Sequence, residues 1–196
     1  MVHMKNRKKL IIALAALICL LIAVLGSHAY LTAETTTRNI ITTGGVTIEI
    51  KEYADEDMTT PFEDVSGAMP ATSVVKIVVL DNIGTSPAWV RIKVDTAVAA
   101  ADGTALTADS ILSLDIDSEN WTYSDGWYYW NTALEPGEST TPLFRHVSFN
   151  ADMQNEYQNS TAEVSVTAQA VQYANNGETV LEAQGWPGEP TGGDGV

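Results

Sequence analysis

Between Ala162 and Val171 an apolar residue stands at every second position: Ala162, Val164, Val166, Ala168 and Ala170 alternate with Glu163, Ser165, Thr167 and Gln169. A period of two sorts side chains onto the two faces of an extended strand. A helix, repeating every 3.6 residues or so, would scatter them around its axis. The stretch predicts a strand with one face in a core and the other toward solvent. The pattern recurs: Val46, Ile48 and Ile50 alternate with Thr47, Glu49 and Lys51, and Val90, Ile92 and Val94 alternate with Arg91, Lys93 and Asp95. Leu112, Leu114 and Ile116 make a face opposite Asp115 and Asp117, and Leu143, Val147 and Phe149 make another. Ser73–Leu80 is apolar on both faces except at Lys76, which predicts a central strand covered on both sides.

Turn clusters separate these runs: Asp81-Asn82-Ile83-Gly84, Ser86-Pro87 and Pro136-Gly137. Trp121–Tyr123 and Trp127–Trp130 flank Ser124-Asp125-Gly126, and Asp-Gly between aromatic runs is a hairpin signal, because glycine tolerates the positive φ of a tight turn. Seven or eight short strands separated by turns predict an all-β fold, an antiparallel β-sandwich or barrel over residues 30–184. Short helical insertions are expected around Ala151–Tyr157 and Thr179–Gln184. Ala97–Ser110, interrupted by Asp102-Gly103, and the acidic Asp55–Met69 read as loops. The Gly/Pro-rich residues 185–196 read as a disordered tail, with no Leu-Pro-x-Thr-Gly sorting sequence.

Residues 1–29 have a different composition. Lys5, Arg7, Lys8 and Lys9 precede an unbroken apolar run over residues 10–25, and Gly26-Ser27-His28-Ala29 follows. A basic n-region, an apolar h-region and small residues at −3 and −1 are the order of a secretory signal peptide. Ser27 and Ala29 fill the two small positions, which places cleavage between Ala29 and Tyr30. The apolar run is shorter than the ~20 residues that span a bilayer, so cleavage is favoured over a retained anchor. The membrane is then met only through the uncleaved leader.

Charge and cysteine divide at the same point. The whole chain carries −15, but the leader holds four of its 10 basic residues and no acid. The body keeps six basic against 25 acidic residues, a net −19. Nucleic acid is excluded as a partner, because neutralising phosphates needs clustered Lys and Arg. Cys19, the single cysteine, lies in the leader, so the body has no disulfide framework and no thiolate metal site.

The sequence offers no pattern of a catalytic residue, a cofactor or a metal site. The body has one histidine, His146, where a zinc hydrolase of the His-Glu-x-x-His type needs two, and no Gly-x-Ser-x-Gly elbow presents a nucleophile. The acidic sets Asp55-Glu56-Asp57 and Asp115/Asp117/Glu119 do not match a calcium loop and read as solvated. Trp121, Trp127, Tyr128 and Trp130 in the hairpin have two readings: packed rings, or a row that stacks on a glycan as in a carbohydrate- or surface-binding adhesin.

The order of several short motifs is informative. Ala29-Tyr30-Leu31-Thr32 follows the leader, then Gly44-Gly45-Val46-Thr47-Ile48, Val75-Lys76-Ile77-Val78-Val79, and Asn82-Ile83-Gly84-Thr85-Ser86-Pro87-Ala88-Trp89-Val90-Arg91-Ile92-Lys93-Val94. Asp125-Gly126-Trp127-Tyr128-Tyr129 leads into Leu134-Glu135-Pro136-Gly137-Glu138-Ser139-Thr140, and Val166-Thr167-Ala168-Gln169-Ala170-Val171-Gln172 closes the series. To about Ala183 the chain resembles the TasA/camelysin-type family of exported proteins of Gram-positive bacteria. That resemblance implies a jelly-roll-like β-sandwich, a leader cut by a SipW-type signal peptidase, and secretion to the cell surface or biofilm matrix. There subunits assemble into fibres, alone or with other matrix or cell-wall components. The family's metallopeptidase label is not carried over, since no zinc-ligand pattern is present. In such fibres the N-terminal strand of one subunit completes the sheet of the next. The Thr-rich, β-branched residues 30–43, with Tyr30, Leu31, Ile40 and Ile41, suit that donor strand, and Gly44-Gly45 suits a hinge. The same residues could instead pair within their own subunit.

Overall fold

The computed structural model describes residues 45–63, 71–151, 157 and 159–188, together with the backbone of residues 31–34, 37–38 and 65–68. Among these residues lie thirteen strands: β1 (Leu31–Glu34), β2 (Thr37–Arg38), β3 (Ile48–Tyr53), β4 (Val65–Ala68), β5 (Ser73–Val75), β6 (Ile77–Asn82), β7 (Ala88–Ala99), β8 (Ala105–Leu106), β9 (Leu112–Leu114), β10 (Trp121–Ser124), β11 (Trp127–Trp130), β12 (His146–Phe149) and β13 (Thr161–Gln172). The leader and the Ala29/Tyr30 junction lie outside the described residues.

The alternating stretch Ala162–Val171 lies in β13. It pairs antiparallel with β7 along its full length, from Thr161 opposite Ala99 to Gln172 opposite Ala88. Around this pair runs the larger sheet, in the order β10-β11-β7-β13-β1-β4, with β2 also on β13 and β8 on β7. The facing layer is built from the β3–β6 pair and the sheet β5-β12-β9. Residues 140–145 stitch these two together: Lys76 N–H donates to Arg145 O (2.8 Å), Leu143 N–H to Val78 O (2.9 Å) and Thr140 N–H to Leu80 O (2.9 Å). Val90, Ile92, Val164, Val166, Ala168 and Ala170 of one layer meet Ile48, Ile50, Val78, Leu80, Val147 and Phe149 of the other in a single core. The architecture is all-β and sandwich-like, with inward positions set by the period-two pattern.

Several sequence expectations need correction. The fold is not purely antiparallel, because β1 and β2 run parallel to β13. Ser73–Leu80 is two strands, broken at Lys76, whose side chain is buried rather than tolerated. Ala97–Ser110 is not a loop throughout: β7 continues to Ala99 and turns at Gly103 (φ +84°) into β8. Asp55–Met69 likewise contains β4. Asp115 and Asp117 do not share a strand face, since β9 ends at Leu114. Of the two expected helices, Val180–Glu182 forms one 3-10 turn, while 152–156 fall outside the described residues. The tail does not begin at Gly185: Trp186 is buried in a second apolar cluster with Trp89, Tyr129, Val171, Val180 and Ala183.

One close approach depends on a missing side chain. A Cβ on Gly84 would sit 2.6 Å from Thr47 N and 2.8 Å from Gly45 O. That contact lets the turn after β6 lie against the start of β3. The buried Asn82 braces it, donating from Nδ2 to Ser86 O (2.9 Å) and Leu134 O (2.8 Å) and accepting from Gly84 N–H (3.0 Å).

Candidate functional site

The N-terminal segment occupies an edge of β13. Thr32, Ala33 and Glu34 stand beside Thr161, Ala162 and Glu163, and Thr37 and Arg38 beside Val166 and Thr167. The offset is the same in both groups, so β1 and β2 keep one parallel register. On its other side β1 pairs antiparallel with β4, Thr32 opposite Ser66 and Ala33 opposite Val65. Along β13 the buried positions Ala162, Val164 and Val166 alternate with half-buried Thr161, Glu163, Ser165 and Thr167. The segment therefore fills a slot between β13 and β4 of its own subunit, the second of the two arrangements expected for it. Of the proposed assembly residues, Leu31 lies in β1, while Tyr30, Ile40 and Ile41 lie outside the described residues.

The aromatic hairpin forms as its sequence requires. Asp125 (φ +49°) and Gly126 (φ +84°) make the turn, and Trp121–Ser124 pairs with Trp127–Trp130. Its rings do not form one exposed row. Trp121 is buried in the main core, edge-on to Trp130 at 5.3 Å, with Nε1 donating to Thr141 O (3.3 Å). Tyr128 and Trp130 pack half-buried on that core. Trp127 lies on the opposite face. The one strongly exposed ring is Tyr123, 63% accessible and 4.8 Å from Tyr128, which was not among the expected glycan contacts.

On the outer face of the larger sheet lies an arrangement the sequence reading missed. Arg91, expected to point to solvent, is buried with its guanidinium 4.2 Å from the Trp127 ring and 4.3 Å from the Trp186 ring. Its Nη1 donates to Tyr129 Oη (3.0 Å), and Nε and Nη2 donate to Gln169 Oε1 (3.0 and 2.7 Å). Gln169 Nε2 in turn donates to Pro187 O (3.1 Å), tying the end of the described chain to β13. The available signal was a lone tryptophan in an otherwise Gly/Pro-rich stretch.

The acidic sets hold loops. Asp55 accepts from Thr60 N–H (2.7 Å) and Thr59 N–H (2.9 Å), and these hydrogen bonds, Thr60 first, lower its carboxyl to about 2. Because that is below the unfolded value of about 3.9, the contribution of Asp55 is fully present above pH 4 and vanishes as the pH falls through about 2. Protection of the Thr60 amide, corrected for its intrinsic rate, should accordingly be steady above pH 4 and fall progressively between pH 4 and pH 2. Protection that is unchanged down to pH 2 would refute this.

Asp117 accepts from Asn120 Nδ2 (2.8 Å) and Thr141 Oγ1 (2.9 Å). Asp115 accepts the N–H groups of Arg145 (2.9 Å) and His146 (2.7 Å) and faces His146 Nδ1 at 2.8 Å. Burial pushes its carboxyl up, but the hydrogen bonds from His146 and Arg145 prevail and hold it below the ordinary carboxylate range. Glu56 reaches His146 Nε2 (3.1 Å) and Arg145 Nη1 (3.0 Å). The two carboxylates thus contact opposite nitrogens of one imidazole and do not converge on a common point. Among the described residues no group of three His, Cys, Asp or Glu side chains could hold a metal ion.

No protein-family model, curated protein or solved structure matches this chain.

Proposed function

We propose that this protein is a structural component of the cell surface or extracellular matrix that joins copies into fibres by passing its N-terminal strand to a neighbour's sheet. The observation that carries the reading is the parallel register of residues 32–34 on residues 161–163 and of residues 37–38 on residues 166–167. A segment next to the chain's leader makes this pairing at one edge of β13. The same hydrogen bonds can form with the equivalent edge of a second copy, because strand exchange between identical chains replaces each contact by its twin. Each copy would give one strand and receive one, a head-to-tail relation that does not close and so propagates.

In this reading the leader is removed between Ala29 and Tyr30 by a signal peptidase of the SipW type, and the sandwich has jelly-roll connectivity. The partner is a second copy of the chain, alone or with other matrix or cell-wall material. The body's −19 charge keeps exported subunits apart until strand exchange offsets their repulsion. The glycan-binding alternative is weakened by the burial of Trp121 and by the two faces on which the other three rings lie. Deleting residues 30–37 should leave a folded monomer that forms no filaments under negative-stain electron microscopy. Filaments of ordinary length from that deletion would sink the proposal.

A further inference from the structure

Past the end of β13 the chain turns and returns along the outer face of the larger sheet, where Trp186 docks. One side chain ties the two ends of that turn together. Asn176 Nδ2 donates to Gln172 O (2.9 Å) and to Gln184 O (3.0 Å), and its Oδ1 accepts from Gln184 N–H (2.8 Å). Its backbone O accepts from Trp89 Nε1 (2.8 Å). A side-chain amide suits this place because it donates and accepts at once, whereas a carboxylate only accepts. Gly177 follows with φ +83°, and a Cβ there would stand 3.0 Å from Glu182 Cβ and 3.0 Å from Thr179 O. The fold therefore calls for glycine directly after this asparagine.

Asparagine is a chemically labile residue, and least protected before glycine, where no Cβ shields the next backbone nitrogen. That nitrogen can attack the side-chain carbon. The Gly177 N–Cγ bond forms with the nitrogen's electron pair, the Cγ–Nδ2 bond breaks, and ammonia leaves with the proton from Gly177 N. Water then adds to either carbonyl of the cyclic imide and leaves an aspartyl or isoaspartyl residue at position 176. In the folded chain the leaving nitrogen is held by two carbonyls and Oδ1 by the Gln184 amide. The amide group cannot turn toward Gly177 N until the contacts with Gln184 let go.

We infer that Asn176–Gly177 is a deamidation site, closed while residues 178–188 stay docked and open when they lift, and that its conversion loosens that segment in one direction only. The product has a carboxylate where Nδ2 stood, facing Gln172 O and Gln184 O with no hydrogen to give either. Acceptors then oppose acceptors at the tie, and the segment docks less well than before. Arg91, covered by Trp186 at 4.3 Å, meets water more often in converted molecules. The site is independent of strand donation, since it acts at the other end of the described chain.

The test incubates the folded protein in mildly alkaline buffer beside a peptide of residues 172–181, and follows conversion at position 176 by mass-spectrometric peptide mapping. Conversion in the folded protein should be at least about tenfold slower than in the peptide, because it waits on local opening. Trp186→Ala, or Trp186→Phe if the alanine variant does not fold, should bring the rate toward that of the peptide. Asn176→Asp reads the consequence. Exchange protection of the Gln184 amide should fall by a factor of about 5–30, as expected when donated hydrogen bonds give way to facing acceptors. The converted fraction of aged wild-type protein, separated by its added negative charge, should show the same loss. Conversion as fast in the folded protein as in the peptide, or a rate that the Trp186 variants leave unchanged, would overturn the gate. Unchanged Gln184 protection in Asn176→Asp and in the aged fraction would overturn the loosening.

Discussion

Replacing Trp186 by alanine should cost about 3–5 kcal/mol, the range for truncating a buried aromatic. The ring is 3% exposed, lies edge-on to Tyr129 at 5.8 Å and covers the Arg91 guanidinium at 4.3 Å. Its Nε1 donates to Ala183 O (2.9 Å), which fixes the 3-10 turn beneath it. Removing it takes away packing and also opens one side of a buried cation to water. Arg91 would retain Trp127, Tyr129 and Gln169, so the sheet itself should survive. Urea unfolding followed by circular dichroism would show a lower midpoint with little change in slope. Trp186→Phe should keep much of the stability, because a phenyl ring can still face both Tyr129 and Arg91. A loss below 1 kcal/mol in the alanine variant would mean that residues 179–188 are not part of the domain.

The second large effect concerns Lys76 and Glu52. Their side chains are 2% and 6% exposed, and Nζ lies 2.8 Å from Oε1. Glu52 sits on β3 in line with Ile48 and Ile50, so the pair lies at the end of the core between the layers. Residues 54–62 fold back over it: Phe62 N–H donates to Glu52 O (2.9 Å), and Lys76 Nζ stands 4.3 Å from the Phe62 ring. Removing one member of such a pair takes from a buried charge the opposite charge at 2.8 Å, at about 3–5 kcal/mol. Lys76→Met and Glu52→Leu should each fall in that range. The double variant should recover most of the loss, because two apolar side chains of similar volume avoid the desolvation penalty altogether. A double-mutant cycle in urea reads this directly, and additive losses would show that the pair is not energetically coupled.

The strands could be read from the sequence where one face is buried and one is wet. Val90 and Ile92, and Ala162 through Ala170, are the inward positions their alternation demands. Asp125-Gly126 likewise makes the turn its residues require. Three things were hidden, each for a physical reason. Period two tells which face a side chain takes but not which strand lies alongside, so the parallel pairing of β1 and β2 with β13 left no local trace. Alternation put Arg91 outward, and it is outward, yet a segment from the end of the chain covers it. Lys76 broke an apolar run, which a single sequence cannot distinguish from a charge paired in the interior. At the candidate site, the composition of residues 30–43 suggested a strand-forming segment, while the slot between β13 and β4 became visible only in three dimensions.

The placement of β13 has a consequence for the order of events as the chain is made. It is the last long strand in the sequence, and both β7 and the N-terminal strand depend on it. Until residues 161–172 have emerged, the larger sheet lacks its centre, and β1 has no edge on β13 to join. Folding dominated by such distant pairings is slow compared with folding from local contacts. A chain built this way stays threadable for most of its synthesis. It commits to its shape only when nearly the whole of it is available on the same side of any barrier it crosses.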